Sequence, residues 1–221
     1  MKRQVIPLKT DFFGLLQKLS PQVSNACLLT GTTTDGWKKR IAWNPCDTYT
    51  LENSEKPDDS FFEFINNHQR QKHLIIGFLS YDLGYSLYGI KKTAKDKMSL
   101  PNAVVLAYDN YLETDGENMY ATYTDADFIK EIHKIERTKS TPLKIYASNE
   151  LKYTWNRRSY KKAFERIKNH IYEGLIYQIN LTQELELKSN MDSRTVFGAL
   201  ARKNFGKMMA YFETDDLQII S

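Results

Sequence analysis

The sequence predicts an α+β fold in which antiparallel β-sheets are flanked by helices. Short apolar runs come in neighbouring pairs with polar turns between them, a pattern typical of antiparallel strands. Segments with helical periodicity lie between groups of these runs, which disfavours strict βαβ alternation. The 221 residues are 41% hydrophobic and 26% charged, which is the composition of an ordinary globular protein with a buried core.

The first elements can be predicted in chain order. A helix is predicted over 10–19, capped by Thr10 or Asp11, because its large apolar residues share one face. Short apolar strands follow at 26–31 and 40–43, on either side of a polar turn. A second helix begins near the Asp58-Asp59 pair and is predicted to bury four apolar residues: Phe61, Phe62, Phe64 and Ile65.

Strand signals dominate the next part of the chain. Residues 73–89 predict a buried strand that enters a tyrosine-rich segment interrupted by glycines. Residues 102–125 predict two strands joined by the turn TDGEN, a hairpin signal. The following residues lose this periodicity and become polar, which predicts a boundary. We therefore expect an N-terminal region over 1–137, a linker over 138–152 and a second region over 153–221.

The second region has the clearest helix signal. Asn156 is a suitable N-cap and Gly174 a suitable C′ residue for a helix between them. Its predicted core face repeats at helical spacing and consists of Tyr160, Phe164, Ile167 and Ile171. A strand is predicted over 173–187, with an apolar odd-numbered face and an even-numbered face that carries Gln178 and Asn180.

Two further elements are predicted at the end of the chain. A helix opens at Asp192 or Ser193 and is predicted to direct three apolar residues, Val196, Phe197 and Leu200, towards the core. A hairpin over 208–221 follows it. Because the sequence stops on an apolar strand, we expect it to be a fragment of a longer fold.

Composition excludes several classes of function. The net charge of +4 arises from 31 basic and 27 acidic residues that are interspersed, so no nucleic-acid footprint is predicted. The sequence shows neither a signal-peptide core nor an apolar run of membrane-spanning length, and no membrane association is predicted. Cys27 and Cys46 do not form a disulfide framework, which predicts a reduced, cytoplasmic setting.

Other candidate motifs do not hold. The segment 31–39 has the spacing of a phosphate-binding loop, but Trp37 occupies the lysine position, so we interpret it as a turn. His68 and His73 have no cysteine or carboxylate at zinc-ligand spacing and are predicted to be exposed residues at a helix end. No metal ligand is therefore predicted in this chain. Cys27 is predicted to be a small buried residue, and Glu213, Asp215 and Asp216 a solvated turn.

Four stretches of the sequence resemble one enzyme family. They are IIGFLSYDLGYSLYG, LPNAVVLAYDNYLETD, NRRSYKKAFERIKNHIYEGLIYQINLTQELEL and RKNFGKMMAYFETDDLQIIS. The third resembles the start of the catalytic region of the chorismate-utilising enzymes, whose pattern is a helix, a Gly-Asp pair and then YQVNL or a close variant. Here Leu175 replaces the aspartate and Ile179 the valine. The resemblance covers nearly all 221 residues and implies an anthranilate synthase component I-like fold.

The resemblance implies a role for Gln178. Relatives that add water to chorismate have a lysine base at this position, whereas the aminating relatives have glutamine. A neutral amide cannot act as a general base, but ammonia is already nucleophilic and needs none. Gln178 is thus the catalytic candidate, and Asn180 is a candidate for the active-site wall. The alternative is that both amides only cross-link sheet edges.

The resemblance also identifies two segments that match an effector pocket. In feedback-inhibited anthranilate synthase, the corresponding motifs bind tryptophan. Here the matching residues are Leu28, Leu29, Thr30, Gly31, Lys207, Met208 and Met209. Thr30 and Gly31 replace the glutamate and serine that bind the amino acid, so we expect no tryptophan feedback. Met208 and Met209 have an alternative role as core residues.

Within the family, the sequence is most similar to component I of aminodeoxychorismate synthase. This implies chorismate as substrate, Mg²⁺ as cofactor and a glutamine amidotransferase as partner. The family's Mg²⁺ ligands and catalytic histidine correspond to positions beyond residue 221, so we expect the chain to be inactive alone. The alternatives are anthranilate synthase component I and a non-catalytic binding or regulatory module. The residue that separates 2-amination from 4-amination also falls outside the sequence.

Overall fold

The computed structural model describes residues 1–31, 38–53, 55–93, 96–139, 147–204 and 206–221, and the side chains of 147–150 are not described. The chain divides into two compact units. Unit 1 comprises Met1–Pro142 together with Ser193–Ser221, and unit 2 comprises Leu143–Asp192. The mixture of helices with antiparallel sheets confirms the predicted fold class.

The strands are β1 (Lys2–Val5), β2 (Cys27–Leu29), β3 (Lys39–Ala42), β4 (Asp47–Leu51), β5 (Leu74–Leu79), β6 (Ala103–Tyr108), β7 (Tyr111–Thr114), β8 (Met119–Tyr123), β9 (Ala147–Tyr153), β10 (Leu185–Ser189), β11 (Ala210–Glu213) and β12 (Gln218–Ile220). The helices are α1 (Phe12–Lys18), α2 (Asp59–Arg70), α3 (Leu83–Tyr88), α4 (Asp127–Arg137), α5 (Arg157–Tyr172) and α6 (Ser193–Lys203). No helix in the part of the chain that the structure describes is both long and apolar enough to cross a bilayer.

Unit 1 contains two antiparallel sheets. In its described residues the larger sheet has seven strands in the order β1-β8-β7-β3-β2-β11-β12, and the smaller has the order β4-β6-β5. The strand β11 pairs with both β2 and β12, so the C-terminal hairpin joins a sheet built mostly from the first half of the chain. This pairing brings residues near 210 beside residues near 28.

In the described part of unit 1, three apolar clusters separate the elements into layers. The largest packs α1, α4 and α6 against one face of the seven-stranded sheet. The second lies between the two sheets and includes Ile76, Leu106 and Phe212. The third packs α2 and α3 against the outer face of the smaller sheet. Alternate residues of β6 serve the second and third clusters, as expected for a strand buried on both faces.

Local signals determine several elements as predicted. Asp11 caps α1 by accepting a hydrogen bond from the Gly14 N–H at 2.7 Å, and Asp58 caps α2 in the same way. The turn between β7 and β8 is stabilised by Asp115, whose carboxylate accepts from the backbone N–H groups of Glu117 and Asn118. These contacts lie within a few residues of one another, which is why the sequence reveals them.

Several predicted details of unit 1 are wrong. The first strand predicted in 102–125 is divided into β6 and β7, which belong to different sheets. Phe62 and Leu200 are exposed instead of facing the core. Both lie on amphipathic helices near the edge of the apolar face, where the packing partner decides which side chains are covered. The predicted turn over 32–39 falls largely outside the described residues.

Unit 2 contains α5 and the antiparallel pair β9–β10. Asn156 caps α5 by accepting from the Ser159 N–H at 2.9 Å. Gly174 ends α5 at a φ of 72°, and the N–H groups of Gly174 and Leu175 donate to the carbonyls of Ile171 and His170. This is a Schellman motif and agrees with the predicted helix end.

The structure corrects two predictions in unit 2. The predicted core face of α5 is not buried in the structure, and no residue of this helix is buried. The strand predicted over 173–187 begins only at Leu185, where pairing with Tyr153 of β9 starts. Alternating apolar residues favour a strand only where a neighbouring strand accepts its backbone hydrogen bonds. The end of the predicted linker, 138–152, overlaps β9. Residues 140–146 lie outside the described part of the chain, so the division at 138–152 stays a prediction.

Candidate functional site

The two segments matched to an effector pocket meet in unit 1. In the register of β2 and β11, Leu28 pairs with Tyr211 and Leu29 with Ala210. Just beyond these strands, the Thr30 N–H donates to the Met209 carbonyl at 2.9 Å, and the Met209 N–H donates to the Thr30 hydroxyl at 2.9 Å. The structure therefore brings together two segments that are 179 residues apart in the sequence.

Most of these matched side chains face the core. Leu28 is fully buried in the largest apolar cluster, and Met209 packs against the same cluster. The Thr30 hydroxyl is engaged with the Met209 backbone. Lys207 and Met208 are exposed. The alternative role as a core residue thus fits Met209, whereas Met208 is too exposed for it.

A buried ion pair stabilises β11 beside these segments. Arg194 on α6 donates to both carboxylate oxygens of Glu213, at 2.8 and 3.0 Å. Its remaining N–H groups donate to the carbonyls of Ser20 and Val23 at 3.1 and 2.8 Å, and more weakly to that of Leu19. The prediction that Glu213 belongs to a solvated turn is therefore wrong.

Tyr211 completes this network. Its hydroxyl donates to Glu213 at 2.9 Å and lies 2.8 Å from the Ser193 hydroxyl. Burial raises the pKa of Tyr211, so the phenol stays protonated over the physiological range. With the Arg194 donors directed at protein acceptors, this network supports the fold instead of offering a cation to a ligand. Sequence reasoning missed it because Arg194 and Glu213 lie on different elements.

The catalytic and wall candidates lie in unit 2. Gln178 and Asn180 follow α5 in the irregular segment between Gly174 and β10, and both are exposed. The described residues include no hydrogen bond to either side chain, and both roles considered for these amides stay predictions.

A cavity of about 910 Å³ opens at the start of α5 in unit 2. It is lined by Tyr153, Trp155, Asn156, Arg157, Tyr160, Lys161, Phe164 and Gln183. The Gln183 amide donates to the Trp155 carbonyl at 3.3 Å and connects the segment after Gln178 to this wall. Aromatic rings with two neighbouring cations can accept an apolar ring that carries an anionic group.

A separate cluster in unit 1 comprises Cys46, His68 and His73. His68 is buried, which contradicts the prediction that it is an exposed residue at the helix end, and it lies on α2 beside His73. Sequence spacing could not identify the cluster because Cys46 is 22 residues before His68 and precedes another strand. In the described residues, this is the one group of three potential ligands that the structure brings together.

This cluster does not fit the Mg²⁺ implied by the resemblance. Mg²⁺ is a hard cation that prefers carboxylate, carbonyl and water oxygens, whereas the cluster offers a thiol and two imidazoles. No Mg²⁺ ligand can be assigned among the residues described.

Comparison with known proteins gives consistent matches. A model of the chorismate binding enzyme family matches residues 24–221. Aminodeoxychorismate synthase component 1 of Bacillus subtilis (strain 168) is 25% identical over 160 residues, which cover 66% of this chain and 34% of that protein. The protein of the same name from Salmonella typhimurium (strain LT2) is 26% identical over 150 residues, which cover 66% of this chain and 33% of that protein.

Two solved structures share the fold. Anthranilate synthase component I from Streptococcus pneumoniae TIGR4 matches with a TM-score of 0.62 and 17% identity, covering 91% of this chain and 50% of that one. MenF, the menaquinone-specific isochorismate synthase from Escherichia coli, matches with a TM-score of 0.55 and 13% identity, covering 97% and 47%. The matched region is about a third of the curated relatives' length and about half that of the solved chains.

Proposed function

The chain belongs to the chorismate-binding enzyme family, and from this premise we propose that it forms part of an aminodeoxychorismate synthase component 1. The proposed reaction exchanges the 4-hydroxyl group of chorismate for an amino group. The product, 4-amino-4-deoxychorismate, leads to para-aminobenzoate and folate. Ammonia is supplied by a glutamine amidotransferase partner, and the two free cysteines suit a cytoplasmic setting.

The observation that carries this proposal is the similarity to two curated proteins of the same name. Both matches cover 66% of the chain. One solved structure is an anthranilate synthase component and the other an isochorismate synthase, and both are less than a fifth identical to this chain, so their likeness supports the fold without choosing between branches.

The contacts of Thr30 support the absence of an amino-acid effector. Its hydroxyl accepts the Met209 N–H at 2.9 Å and lies 3.4 Å from the Met209 carbonyl. A tryptophan ammonium group needs an anionic or carbonyl acceptor, and a hydroxyl already engaged with backbone is a poor substitute. This favours the aminodeoxychorismate branch over a tryptophan-inhibited anthranilate synthase.

The proposed role of Gln178 is to line the route by which ammonia reaches chorismate. Its amide is neutral at all physiological pH values and cannot remove a proton from water. The exposed position of Gln178 in unit 2 leaves it accessible to such a route. In the family Mg²⁺ supplies binding of the substrate carboxylates, but the described residues bring together no group of three that includes carboxylates, so no step of this chain is assigned to it.

A chimera tests the proposal. Residues 1–221 would replace the corresponding part of the Bacillus subtilis protein, and amination of chorismate would be measured with ammonia and Mg²⁺. We expect an active chimera. Gln178→Lys should lower amination by more than tenfold, each factor of ten being about 1.4 kcal/mol of barrier. The matched control Asn190→Lys adds the same charge at another exposed polar residue of unit 2 and should retain activity.

The melting temperature separates the outcomes. An active chimera whose Gln178→Lys variant melts normally but no longer aminates supports the site. A chimera that melts like the parent enzyme but is inactive contradicts the proposed function. Full amination by Gln178→Lys contradicts the role of that residue.

A calorimetric titration of the 221-residue chain with tryptophan tests the branch assignment. We expect no binding heat, because the Thr30 hydroxyl is engaged by backbone. Micromolar affinity would show that other residues build an effector pocket and would remove the branch assignment. The titration uses the chain itself and does not depend on the activity of the chimera.

A further inference from the structure

Three potential metal ligands converge from three elements of unit 1. Cys46 lies directly before β4, His68 lies in the last turn of α2, and His73 lies directly before β5. Their ligand atoms all lie within 4.8 Å of one another. They belong neither to the segments matched to the effector pocket nor to the segment that carries Gln178.

Two of the three separations between ligand atoms are close to those of a tetrahedral site. The Cys46 Sγ atom lies 3.6 Å from the His73 Nδ1 atom. Tetrahedral bonds of about 2.3 Å to sulfur and about 2.05 Å to nitrogen place these two atoms about 3.6 Å apart. The Nδ1 atoms of His68 and His73 are 2.9 Å apart, so a separation of about 3.3 Å for two such nitrogens requires only a small shift of His73.

The hydrogen bond of the His68 Nε2 atom determines which ring nitrogen carries the lone pair. Its Nε2 atom lies 3.1 Å from an Asp47 carboxylate oxygen, which can only accept, so Nε2 carries the proton. In neutral His68 the lone pair is then on Nδ1, which faces His73 and the cluster. A carboxylate that orients a histidine through its distal nitrogen is the usual outer partner of a metal-binding histidine.

The backbone holds the cluster in place. The His73 N–H donates to the His68 carbonyl at 3.0 Å, across a tight turn in which Lys72 has a φ of 63°. The Cys46 N–H donates to the Ala107 carbonyl at 2.8 Å. His68 is buried and packs against Phe64 in a tilted arrangement with ring centroids 4.4 Å apart, whereas Cys46 is exposed. The cluster is therefore anchored on one side and open to solvent on the other.

We propose that Cys46, His68 and His73 bind a divalent cation of the zinc class, with a fourth position open to water. Thiolate and imidazole ligands favour Zn²⁺ or Co²⁺ over the hard cations Mg²⁺ and Ca²⁺. On binding, the Cys46 thiol releases its proton to solvent and gives up its contact with the Ala107 carbonyl, and its sulfur bonds the cation. The proton that His73 holds on Nδ1 moves to its Nε2 atom through solvent, so that both Nδ1 atoms offer a lone pair to the cation. The site is independent of the proposed chorismate chemistry.

Cobalt titration of the tag-free, chelator-treated chain tests the site directly. We expect one Co²⁺ per chain and an absorption band from charge transfer between the Cys46 thiolate and cobalt. Added Zn²⁺ should remove the band, whereas excess Mg²⁺ should leave it unchanged. The absence of saturable Co²⁺ uptake would overturn the proposal.

Two variants identify the ligands. Cys46→Ser and His73→Gln should abolish the charge-transfer band or weaken Co²⁺ binding at least tenfold. Neither side chain is fully buried, and circular dichroism would verify that both variants fold. The matched control His133→Gln changes a histidine of α4 outside the cluster and should bind as the original chain does. A band that persists in Cys46→Ser would contradict the assignment.

Thiol labelling gives a readout that is independent of cobalt. Cys46 is exposed and Cys27 is buried, so a thiol reagent should modify one cysteine in the folded chain. Saturating Zn²⁺ should slow this modification at least tenfold, and His73→Gln should remove the protection. Equal labelling rates with and without Zn²⁺ would contradict coordination by Cys46.

Discussion

The two units differ in what their amphipathic elements bury. The helix α4 of unit 1 directs Phe128, Ile132 and Ile135 into the core, where they are at most 7% exposed. The helix α5 of unit 2 has an equally regular apolar face, but Phe164 and Ile171 are 49% and 43% exposed. None of residues 151–192 is buried. A helical apolar face thus predicts where a contact can form but does not supply the surface that covers it.

This difference has a consequence for stability. Most helix stability in proteins comes from packing an amphipathic face and not from the propensity of the residues. Unit 1 has three apolar clusters and a buried ion pair, so its elements depend on one another. Unit 2 relies on caps and backbone hydrogen bonds. We therefore expect substitutions in unit 1 to cost much more free energy than the same substitutions in unit 2.

The largest expected contrast is in thiol reactivity. Burial raises the pKa of Cys27 to about 12, although the Tyr108 hydroxyl donates a hydrogen bond to its sulfur. In a Cys46→Ser background with Phe164→Cys in unit 2, the new thiol should react at pH 8 at least about a thousandfold faster than Cys27, because the reagent attacks the thiolate. The rates would be followed by mass spectrometry of the labelled peptides.

The raised pKa of Cys27 also makes the free energy of unfolding decrease at high pH. Because the pKa of folded Cys27 lies above its ordinary value of 9.0, the free energy of unfolding that it contributes is present below about pH 9. This contribution is lost as the pH rises towards 12. Comparable reactivity of Cys27 and Phe164→Cys at pH 8 would show that the core of unit 1 opens freely.

The next contrast concerns arginines in the two units. Arg194→Ala leaves the carboxylate of Glu213 without its buried partner and should lower the free energy of unfolding by about 3–5 kcal/mol. Arg166→Ala on α5 removes an exposed side chain and should change it by less than about 0.5 kcal/mol. Urea unfolding followed by circular dichroism measures both. Equal costs would contradict the structural role of the ion pair.

A matched pair of isoleucines tests packing without charge. Ile132 is fully buried on α4, and truncation to alanine should cost about 2–5 kcal/mol. Ile171 is partly exposed on α5, and the same truncation should cost less than about 1 kcal/mol in the isolated chain. The midpoints of urea unfolding decide this. A large cost for Ile171→Ala would show that α5 is covered by another surface, for example in a self-associated form of the chain.

The smallest contrast concerns helix caps. Asn156→Ala removes the hydrogen bond to the Ser159 N–H and should destabilise α5 by about 1 kcal/mol. Since α5 has little packing to compensate, the loss should appear as severalfold faster amide hydrogen exchange throughout the helix. The equivalent change Asp11→Ala on α1 should affect mainly the first turn, because Leu15 and Leu16 keep that helix in the core. If amide exchange became faster throughout α1 as well as throughout α5, the proposed difference in packing between the two helices would be contradicted.

The sequence by itself determined the elements that depend on neighbouring residues. The start of α5 at Asn156 and its end at Gly174 follow from a side-chain cap and a left-handed residue, and both act within four residues. The turn at Asp115 and the hairpin of β11 and β12 follow from equally local hydrogen bonds. The α+β class follows from the order of these elements.

Only the tertiary structure decided which distant residues meet. The pairing of β2 with β11 places Thr30 beside Met209, and α6 places Arg194 against Glu213. Packing of α2 against the smaller sheet brings His68 towards Cys46, a neighbour that no spacing in the sequence reveals. The segment after Gly174 failed as a strand for the same reason. Long-range contacts depend on which surfaces are available to pair, and a periodic pattern specifies only that a surface exists.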